Sequence, residues 1–365
     1  MKYIIGFLIF CSYSFGWTYE DYIAQQKKNE SVYKNQVERN YQTYIKQVNA
    51  NIEKYSKIVG DLWGENEVKF SSKHEAIHYD EDFKLRDRID FEKDILIIES
   101  VDAVDINKFN EKLKELRENK LSKIIKKDPI KSDINQPIQM NANANEMYEK
   151  ILPKKYISKS DVTKRVDNGK VIYFVKIPFV KNSIKIRANI FMNDIDRYSK
   201  KYSIDKEYVL GVMHTESSFN PEAESKAYAL GLMQIVPSTG GLDAYIELKG
   251  IRKIPTRAYL LNPTKNIELG CIYIHKIQNK YLKGIKDKKS LYYCTSTSYN
   301  AGIGTLKKSF LPKKYINKIN LMSSDEVYKH LQKSFFTKEA RNYVVKVAKY
   351  TSFWQKELKS NKTNF

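Results

Sequence analysis

The sequence predicts an α+β N-terminal domain, with a long helix and an antiparallel sheet, followed by a mainly α second domain. Apolar residues recur at steps of three and four through residues 19–58, the spacing of one helix face. Strand-like patterns follow around His74 and His78, at 84–101 and at 162–179, whereas the chain beyond 187 has only helix and loop patterns. Because 365 residues suffice for two cores, we place the domains at 17–187 and 188–365.

The first domain opens with an amphipathic helix. Its apolar stripe consists of Tyr33, Val37, Tyr41, Tyr44, Val48, Ile52 and Tyr55. Such a stripe favours a helix that packs on its own domain over a separate coiled coil. The tripeptide Leu62-Trp63-Gly64 is predicted to end it, since glycine interrupts helical patterns.

The sheet is predicted from two hairpins. Their paired strands are expected at 84–91 with 95–101 and at 162–166 with 171–179. The second pair flanks Asn168-Gly169, a strong turn signal because both residues tolerate the positive φ angles of a tight turn.

A helix and a loop are predicted between the hairpins. The helix is expected at 106–127. The loop contains Pro129, Pro137 and the asparagine-rich run at 141–145, which is polar and poor in bulky apolar groups. We interpret it as an excursion within the first domain, because strand patterns resume after it.

The second domain contains a carboxylate on an apolar helix face. Val209, Val212 and Met213 have helical spacing, and Glu216 continues their stripe seven residues after Val209. Burial raises the pKa of a carboxyl, and the negative end of a helix acts in the same direction. Glu216 is therefore predicted to keep a proton near neutral pH, as a general acid must. The alternative is an ordinary glutamate that faces solvent near a helix end.

Further helix ends follow from local signals. Asp205 is expected to cap the helix of Glu216, and Asn220-Pro221 to end it. Asn262-Pro263 is predicted to open a later helix, since proline loses no hydrogen bond in the first turn. Residues 292–298 lead into a turn at 299–302, and Thr337 is expected to cap the last long helix.

Several motifs accompany Glu216. They are Ser225, Gly231-Leu232-Met233-Gln234, Tyr299-Asn300-Ala301-Gly302 and Glu339-Ala340-Arg341-Asn342-Tyr343-Val344. With these residues and spacings, the region resembles the catalytic domain of lytic transglycosylases, a family that shares the lysozyme-like fold with goose-type lysozymes. The resemblance implies a lysozyme-like second domain that cleaves the β-1,4 bond between N-acetylmuramic acid and N-acetylglucosamine in peptidoglycan.

The first domain carries motifs that are less specific than those around Glu216. They are the helix start at 22–26, Leu62-Trp63-Gly64, and Arg86-Asp87-Arg88-Ile89-Asp90-Phe91 before an alternating strand. This region resembles the leading domain of the C type of membrane-bound lytic murein transglycosylases. The resemblance therefore covers nearly the whole mature chain.

The resemblance also implies roles for individual residues. Glu216 would act first as general acid and then as base, taking a proton from the muramic C6 hydroxyl so that a 1,6-anhydro ring closes. Substrate binding would fall to Ser225, Gln234, Tyr299, Asn300 and Tyr343. Structural positions at the site would be Ser217, Gly231, Met233 and Gly302. Taken singly, Ser225 is equally a turn cap, Gln234 a backbone partner, and Tyr299 or Tyr343 a core aromatic.

Two other functions stay open at this point. A muramidase that hydrolyses the same bond would need a second carboxylate, for which Glu222, Glu224 and Asp243 are nearest in sequence. A non-catalytic wall-binding protein on the same fold is the other alternative. We expect no cofactor and no metal, since His74 and His78 stand four apart without a placed carboxylate or cysteine partner.

The net charge of +21 indicates either an anionic partner or the solvated charge of a lysine-rich composition. Nucleic acid, an anionic membrane surface and an acidic wall polymer all qualify. No zinc-finger spacing, basic helix-turn-helix or RNA-binding signature favours nucleic acid. We therefore expect no nucleic acid. The family resemblance implies peptidoglycan glycan strands as the partner, and association with the outer membrane and protein partners stay open.

The N-terminal segment predicts export. MKYIIGFLIFCSYSFGW combines one lysine, a short apolar run and small residues, the pattern of a signal peptide at 1–16. The protein is thus expected in the periplasm. Cys11 raises the alternative of a lipid anchor in the outer membrane, which Phe10 disfavours because a small residue is needed there. Cys271 and Cys294 could pair after export or serve as buried apolar residues.

Overall fold

The computed structural model describes residues 19–132, 140, 142–334 and 338–360. The proposed signal peptide, Cys11 with Phe10, Pro137 and Thr337 lie outside these residues, as do the side chains of Tyr33 and Val37. Within the described part, no helix combines the length and hydrophobicity that crossing a membrane requires.

The predicted fold class is confirmed for both parts of the chain. The first part contains a long helix, α1 (Tyr19–Trp63), and a five-stranded antiparallel sheet in the order β1-β2-β3-β5-β4. The strands are β1 (Glu75–Tyr79), β2 (Leu85–Asp90), β3 (Ile95–Val101), β4 (Thr163–Asp167) and β5 (Lys170–Pro178). The helices between β3 and β4 are α2 (Ile106–Glu118), α3 (Leu121–Lys127), α4 (Pro129–Ser132), α5 (Ala142–Asn145) and α6 (Met147–Ile151).

The remaining part is helical, as predicted. Its helices are α7 (Ser183–Ile190), α8 (Met192–Lys201), α9 (Lys206–Ser217), α10 (Leu242–Lys249), α11 (Arg257–Leu260), α12 (Pro263–Lys276), α13 (Lys288–Ala301), α14 (Ile303–Ser309), α15 (Tyr315–Asn320), α16 (Ser324–Ser334) and α17 (Lys338–Ser360). Short π-helical segments, Pro237–Gly241 and Ile277–Tyr281, precede α10 and follow α12.

Helix α1 ends where the tripeptide motif predicted. Gly64 has a φ of 95°, which a side chain would disfavour, so the helix stops at Trp63. Trp63 is fully buried, its indole donates to the Phe83 carbonyl at 2.6 Å, and the Arg86 guanidinium lies 4.0 Å from its ring centroid. The end of α1 is thereby fixed against the sheet.

Both predicted hairpins are present. Strands β2 and β3 pair antiparallel, as do β4 and β5, whose turn places Asn168 and Gly169 at φ values of 46° and 78°. The edge strand β1 pairs with β2 in the region of His74 and His78, where the sequence has a strand pattern. The expected helix at 106–127 is wrong as a single element, since Asn119 and Lys120 are extended and divide α2 from α3.

Helix α9 departs from two predictions at its ends. Asp205 occupies the N-cap position, but its side chain makes no capping bond and pairs instead with Lys288 at 2.6 Å. The helix stops at Ser217 because Ser218 is left-handed with a φ of 51°, so Asn220-Pro221 does not end it. Asn262 caps α12 as predicted, accepting from the Lys265 amide at 3.1 Å.

One hydrophobic core joins the two parts. Buried residues of the sheet, such as Ile98 and Val175, are continuous with Phe191 and with Val209 and Val212 of α9. Cys271 and Cys294 are both buried and unpaired, which decides between the two alternatives for these thiols. The sheet therefore packs on the helical part as one folded unit.

Helices α9 and α17 cross closely at Gly211. A Cβ there would lie 2.3 Å from Thr351 Oγ1 and 2.9 Å from Thr351 N. Because the obstacle includes backbone, we expect Gly211→Ala to lower the free energy of unfolding by about 1–3 kcal/mol, measured by urea titration.

Gly304→Ala is the matched control. Gly304 is exposed on α14, and no atom lies within 4 Å of the position that its Cβ would take, so this change should be neutral or stabilise by up to about 1 kcal/mol. Equal stability of the two variants would contradict the close crossing.

Candidate active site

Glu216 lies buried in the last turn of α9, with 6% of its surface exposed. Val209, Val212 and Met213, the apolar residues of its stripe, are fully buried, as the spacing predicted. Burial raises the pKa of the Glu216 carboxyl to about 7, because the charged form loses its hydration. Glu216 is therefore the group in this region that can both give and take a proton near neutral pH.

Tyr343 of α17 contacts this carboxyl. Its hydroxyl donates to Glu216 Oε1 at 2.6 Å, and this bond lowers the pKa of the carboxyl against the effect of burial. The positive charge of Lys73 acts in the same direction as Tyr343, and the negative charge of Glu339 opposes it. The tyrosine thus holds one carboxyl oxygen and leaves the other for a reacting partner.

Ser217 ties the end of α9 to the following loop. Its hydroxyl is fully buried and lies 3.2 Å from the Met213 carbonyl and 2.8 Å from the Leu232 carbonyl. The segment 231–234 is therefore held directly against the helix turn that carries Glu216.

Gly231 allows the loop to pass close to two other elements. Its φ is 72°, and a Cβ would lie 2.5 Å from both the Leu260 carbonyl oxygen and Asn266 Nδ2. Asn266 is fully buried; its amide donates to the Leu230 and Leu260 carbonyls at 2.8 and 2.7 Å and accepts from the Met233 amide at 2.8 Å. Sequence reasoning missed Asn266, although a polar residue on the buried face of α12 was a usable signal.

Met233 connects the loop to α13. The Tyr299 hydroxyl donates to the Met233 carbonyl at 2.7 Å, and the Met233 side chain covers Gly270, where a Cβ would lie 2.2 Å from its sulfur. Burial, followed by the nearby charge of Glu216, raises the pKa of Tyr299 well above its usual value. Tyr299 therefore lies near Glu216 but bonds to the loop backbone.

Gln234 has an unused acceptor at this site. It is buried with a φ of 46°, and its Nε2 donates to the Ala223 and Gly231 carbonyls at 3.2 and 3.0 Å. Its buried Oε1 has no hydrogen-bond partner among the described residues. A buried oxygen without a partner is unfavourable, so it is suited to accept a bond from a ligand.

Ser225, Asn300 and Gly302 are placed differently. The Ser225 hydroxyl accepts from the Ala227 and Ala229 amides at 3.2 and 3.0 Å, which is the role of a turn cap. Tyr299 and Asn300 belong to the last turn of α13, not to a turn after it, and Gly302 ends the helix with a φ of 82°. No hydrogen bond joins Ser225 or Asn300 to Glu216 within the part of the chain that is described.

The three carboxylates that the sequence offered as second acids, Glu222, Glu224 and Asp243, are all in ion pairs. Glu224 pairs with Arg257 at 2.8 Å and Asp243 with Lys276 at 3.3 Å. Glu222 is buried beside His78 and Lys131; burial alone would raise the pKa of its carboxyl, but these two positive charges hold it well below its usual range. Their charges are already compensated, which distinguishes them from Glu216.

The first part of the chain borders the region of Glu216. Asn220 Nδ2 donates to the Lys73 carbonyl at 3.4 Å, and Ser218 Oγ lies 3.3 Å from His74 Nδ1. The fully buried Arg187 donates to the Ser218 carbonyl at 3.1 Å, to Asp94 at 2.7 Å and to the Phe91 carbonyl at 2.9 Å. The end of α9 is thus held by loops of the sheet.

His74 and His78 do not form a joint site. His74 faces Ser218, whereas His78 lies between Asp87 and Glu222. Within the described residues, no group of three or more histidine, cysteine, aspartate or glutamate side chains is arranged to hold a metal ion.

The chain matches two family models and several curated relatives. The transglycosylase SLT domain matches residues 193–321, and the N-terminal domain of membrane-bound lytic murein transglycosylase C matches residues 38–134. Membrane-bound lytic murein transglycosylase C of Haemophilus ducreyi is 32% identical over 311 residues, with 80% of this chain and 82% of that protein covered. The protein of the same name from Mannheimia succiniciproducens is 30% identical over 370 residues, with 95% of each covered.

Two solved structures are similar to a smaller part of this chain than the curated relatives are. An inactive mutant of the lytic transglycosylase Slt from Pseudomonas aeruginosa is 20% identical with a TM-score of 0.37, covering 48% of this chain and 28% of that one. The 70-kDa soluble lytic transglycosylase of Escherichia coli is 21% identical with a TM-score of 0.36 and the same two coverages, 48% and 28%.

The contacts of Glu216 predict how its pKa responds to substitution. Tyr343→Phe removes a hydrogen bond to the charged form and Lys73→Met removes a favourable charge, so each should raise the pKa of Glu216 above its wild-type value of about 7. Carbon-13 NMR titration of the labelled glutamate carboxyl measures this. Tyr315→Phe, whose hydroxyl bonds to the Tyr281 carbonyl, is the control and should change nothing. A lowered pKa in either site variant would be inconsistent with these contacts.

Proposed function

The chain belongs to the family of membrane-bound lytic murein transglycosylase C, and from that premise we propose how this enzyme acts on peptidoglycan. It cleaves the β-1,4 bond between N-acetylmuramic acid and N-acetylglucosamine and leaves a 1,6-anhydromuramic acid end. Glu216 is the single catalytic residue, acting first as general acid and then as general base. The observation that carries this proposal is the burial of the Glu216 carboxyl, which brings its pKa to about 7.

The first step is proton transfer to the leaving sugar. The protonated Glu216 carboxyl donates to the glycosidic oxygen, the bond from muramic C1 to that oxygen breaks, and N-acetylglucosamine leaves with a new hydroxyl. Positive charge develops at C1 of the muramic acid. The carboxylate that remains is the only product of this step on the protein side.

The second step returns the proton. The Glu216 carboxylate takes the proton of the muramic C6 hydroxyl while O6 forms a bond to C1, which closes the anhydro ring. No water is consumed, and Glu216 ends protonated as it began. A carboxyl with a pKa of about 7 suits both steps, because neither form is strongly disfavoured near neutral pH.

Tyr343 supports both forms of the carboxyl without reacting. By donating to Oε1 at 2.6 Å it stabilises the negative charge left after the first step and fixes the orientation of the carboxyl. The second carboxyl oxygen then faces the scissile bond. We assign Tyr343 to the wall of the substrate cleft on the same grounds.

The other predicted residues take substrate-binding and shaping roles in this proposal. The unpartnered Oε1 of Gln234 accepts a hydrogen bond from an N–H or O–H group of the sugar. Tyr299 fixes the loop through the Met233 carbonyl and lies near Glu216, while Ser225 and Asn300 bind sugar farther along the cleft. Ser217, Gly231, Met233 and Gly302 set the backbone path.

Hydrolysis by a muramidase is the second candidate. Such a reaction commonly uses a second carboxylate as base or nucleophile. Glu222, Glu224 and Asp243 are all committed to ion pairs with the chain's own cations, which favours the reaction with one carboxylate. A wall-binding protein without activity is less well supported, because binding alone has no use for a buried carboxyl with a raised pKa.

We also propose where the protein acts. The N-terminal segment indicates export to the periplasm, where peptidoglycan strands are the partner, and the net charge of +21 favours anionic wall and membrane surfaces. The relatives are named membrane-bound, and we extend membrane association to this chain. Membrane association takes one of two forms. The protein is either attached to the outer membrane through a lipid on Cys11 or exported without an anchor, and Phe10 favours export without an anchor.

Mass spectrometry of the muropeptides released from purified sacculi tests the activity. Wild type should release anhydro-muropeptides, and Glu216→Gln should lower their rate of release by about 10²- to 10⁴-fold, since the proton donor is lost. Glu207→Gln, at the other end of α9, is the matched control and should behave as wild type. If wild type releases products with reducing ends, the protein is a muramidase. If it releases no products, wall binding without catalysis is the function that remains.

A further inference from the structure

Glu222 is a buried carboxylate whose partners all come from the first part of the chain. It is 5% exposed and follows the catalytic helix by a few residues. His78 Nε2 of β1 lies 3.2 and 3.1 Å from its two oxygens, Lys131 of α4 bonds to Oε2, and the Tyr148 hydroxyl of α6 donates to Oε1. Three donors from three elements thus fix both oxygens of one side chain in the loop after Glu216.

This contact continues into the first part as a chain of buried charges. His78 Nδ1 lies 2.7 Å from Asp87 Oδ2 of β2, and Lys112 Nζ of α2 lies 3.1 Å from Asp87 Oδ1. Burial and the charge of Lys131 disfavour the charged imidazole, but Asp87 and Glu222 outweigh them and raise the pKa of His78 to about 9. The network is therefore charged at neutral pH and joins the sheet to the loop.

The backbone at Glu222 and Ala223 connects this network to the segment 231–234. Its amide donates to Asn220 Oδ1 at 2.9 Å. The carbonyl of the next residue, Ala223, accepts from the Gly231 amide at 2.8 Å and from Gln234 Nε2 at 3.2 Å. A displacement of Glu222 therefore moves the carbonyl that orients Gln234 and Gly231.

Stability alone does not account for such a network. Buried ion pairs recover little more than the free energy lost in removing two charges from water, and apolar residues of similar volume often stabilise as well or better. Such pairs do fix one geometry, because a misplaced partner leaves an uncompensated buried charge. The surrounding core already joins the two parts through apolar contacts. The network therefore fixes their relative geometry more than it adds to the free energy of folding.

We propose that Glu222 is a positioning residue. Through it, the sheet of the first part sets the geometry of the segment 231–234, and this geometry determines the affinity of the site for glycan strands. This deepens the proposed function and rests on it. Glu222 takes no part in proton transfer to the sugar. The first part of the chain is then a component of the active site and not only an attached module.

Steady-state kinetics on soluble glycan strands tests the effect on the reaction. Glu222→Gln and Lys131→Met should each raise KM by about tenfold or more, with kcat changed less, because the displaced loop binds sugar poorly while Glu216 and Tyr343 stay in place. His78→Gln combined with Glu222→Gln should add little to Glu222→Gln alone, since both disrupt one contact. Glu99→Gln is the matched control, because it breaks a buried ion pair with Arg86 that touches no part of the loop.

Hydrogen exchange gives a readout that does not depend on activity. The amides of Gly231, Gln234 and Ile235 donate within the loop, so their exchange should accelerate in Glu222→Gln and Lys131→Met but not in Glu99→Gln. Should Glu222→Gln fail to fold, Lys131→Met decides. Wild-type KM and wild-type loop exchange in the folded variants would overturn the proposal. An inactive wild type would refute the proposed function. Amide hydrogen exchange in the variants would still show whether Glu222 holds the loop in place.

Discussion

The burial of Glu216 against the crossing of α9 and α17 is the constraint on which the rest of the site depends. It removes water from the carboxyl and raises its pKa to about 7, while one hydrogen bond from Tyr343 limits that rise and orients the group. Both effects come from the same helix pair, because α9 supplies the glutamate and α17 the tyrosine. The close approach at Gly211 lets these two helices pack against each other.

The remaining elements hold the backbone around this pair. Asn266 and Ser217 hold the 231–234 loop by its backbone, so the unpaired oxygen of Gln234 is presented from a fixed position. Arg187 and the Glu222 network hold the same region from the sheet side. Apolar contacts join the two parts of the chain, and these polar contacts lie beside them.

Local signals were enough to predict much of the fold and the burial of Glu216. The stripe from Val209 to Glu216 and the Asn168-Gly169 turn depend on neighbours in sequence, and both predictions agree with the structure. The break at Asn119 and Lys120 and the ion pair of Asp205 with Lys288 depend on tertiary partners, so the single helix and the cap were wrong. The contact of His78 with Glu222 spans 144 positions and has no local pattern at all. The catalytic role of Glu216 stays a prediction, as do the substrate-binding roles of Ser225, Gln234, Tyr299, Asn300 and Tyr343.

The pH dependence of kcat/KM for release of anhydro-muropeptides by the wild-type enzyme tests the central claim most directly. The reaction begins with the protonated form of Glu216, so kcat/KM should be constant at low pH and fall about tenfold per pH unit above about 7, as the carboxyl loses its proton. A profile that stays level between about pH 6 and 9, or that rises through this range, would contradict the assignment of a buried, protonated Glu216 as the general acid.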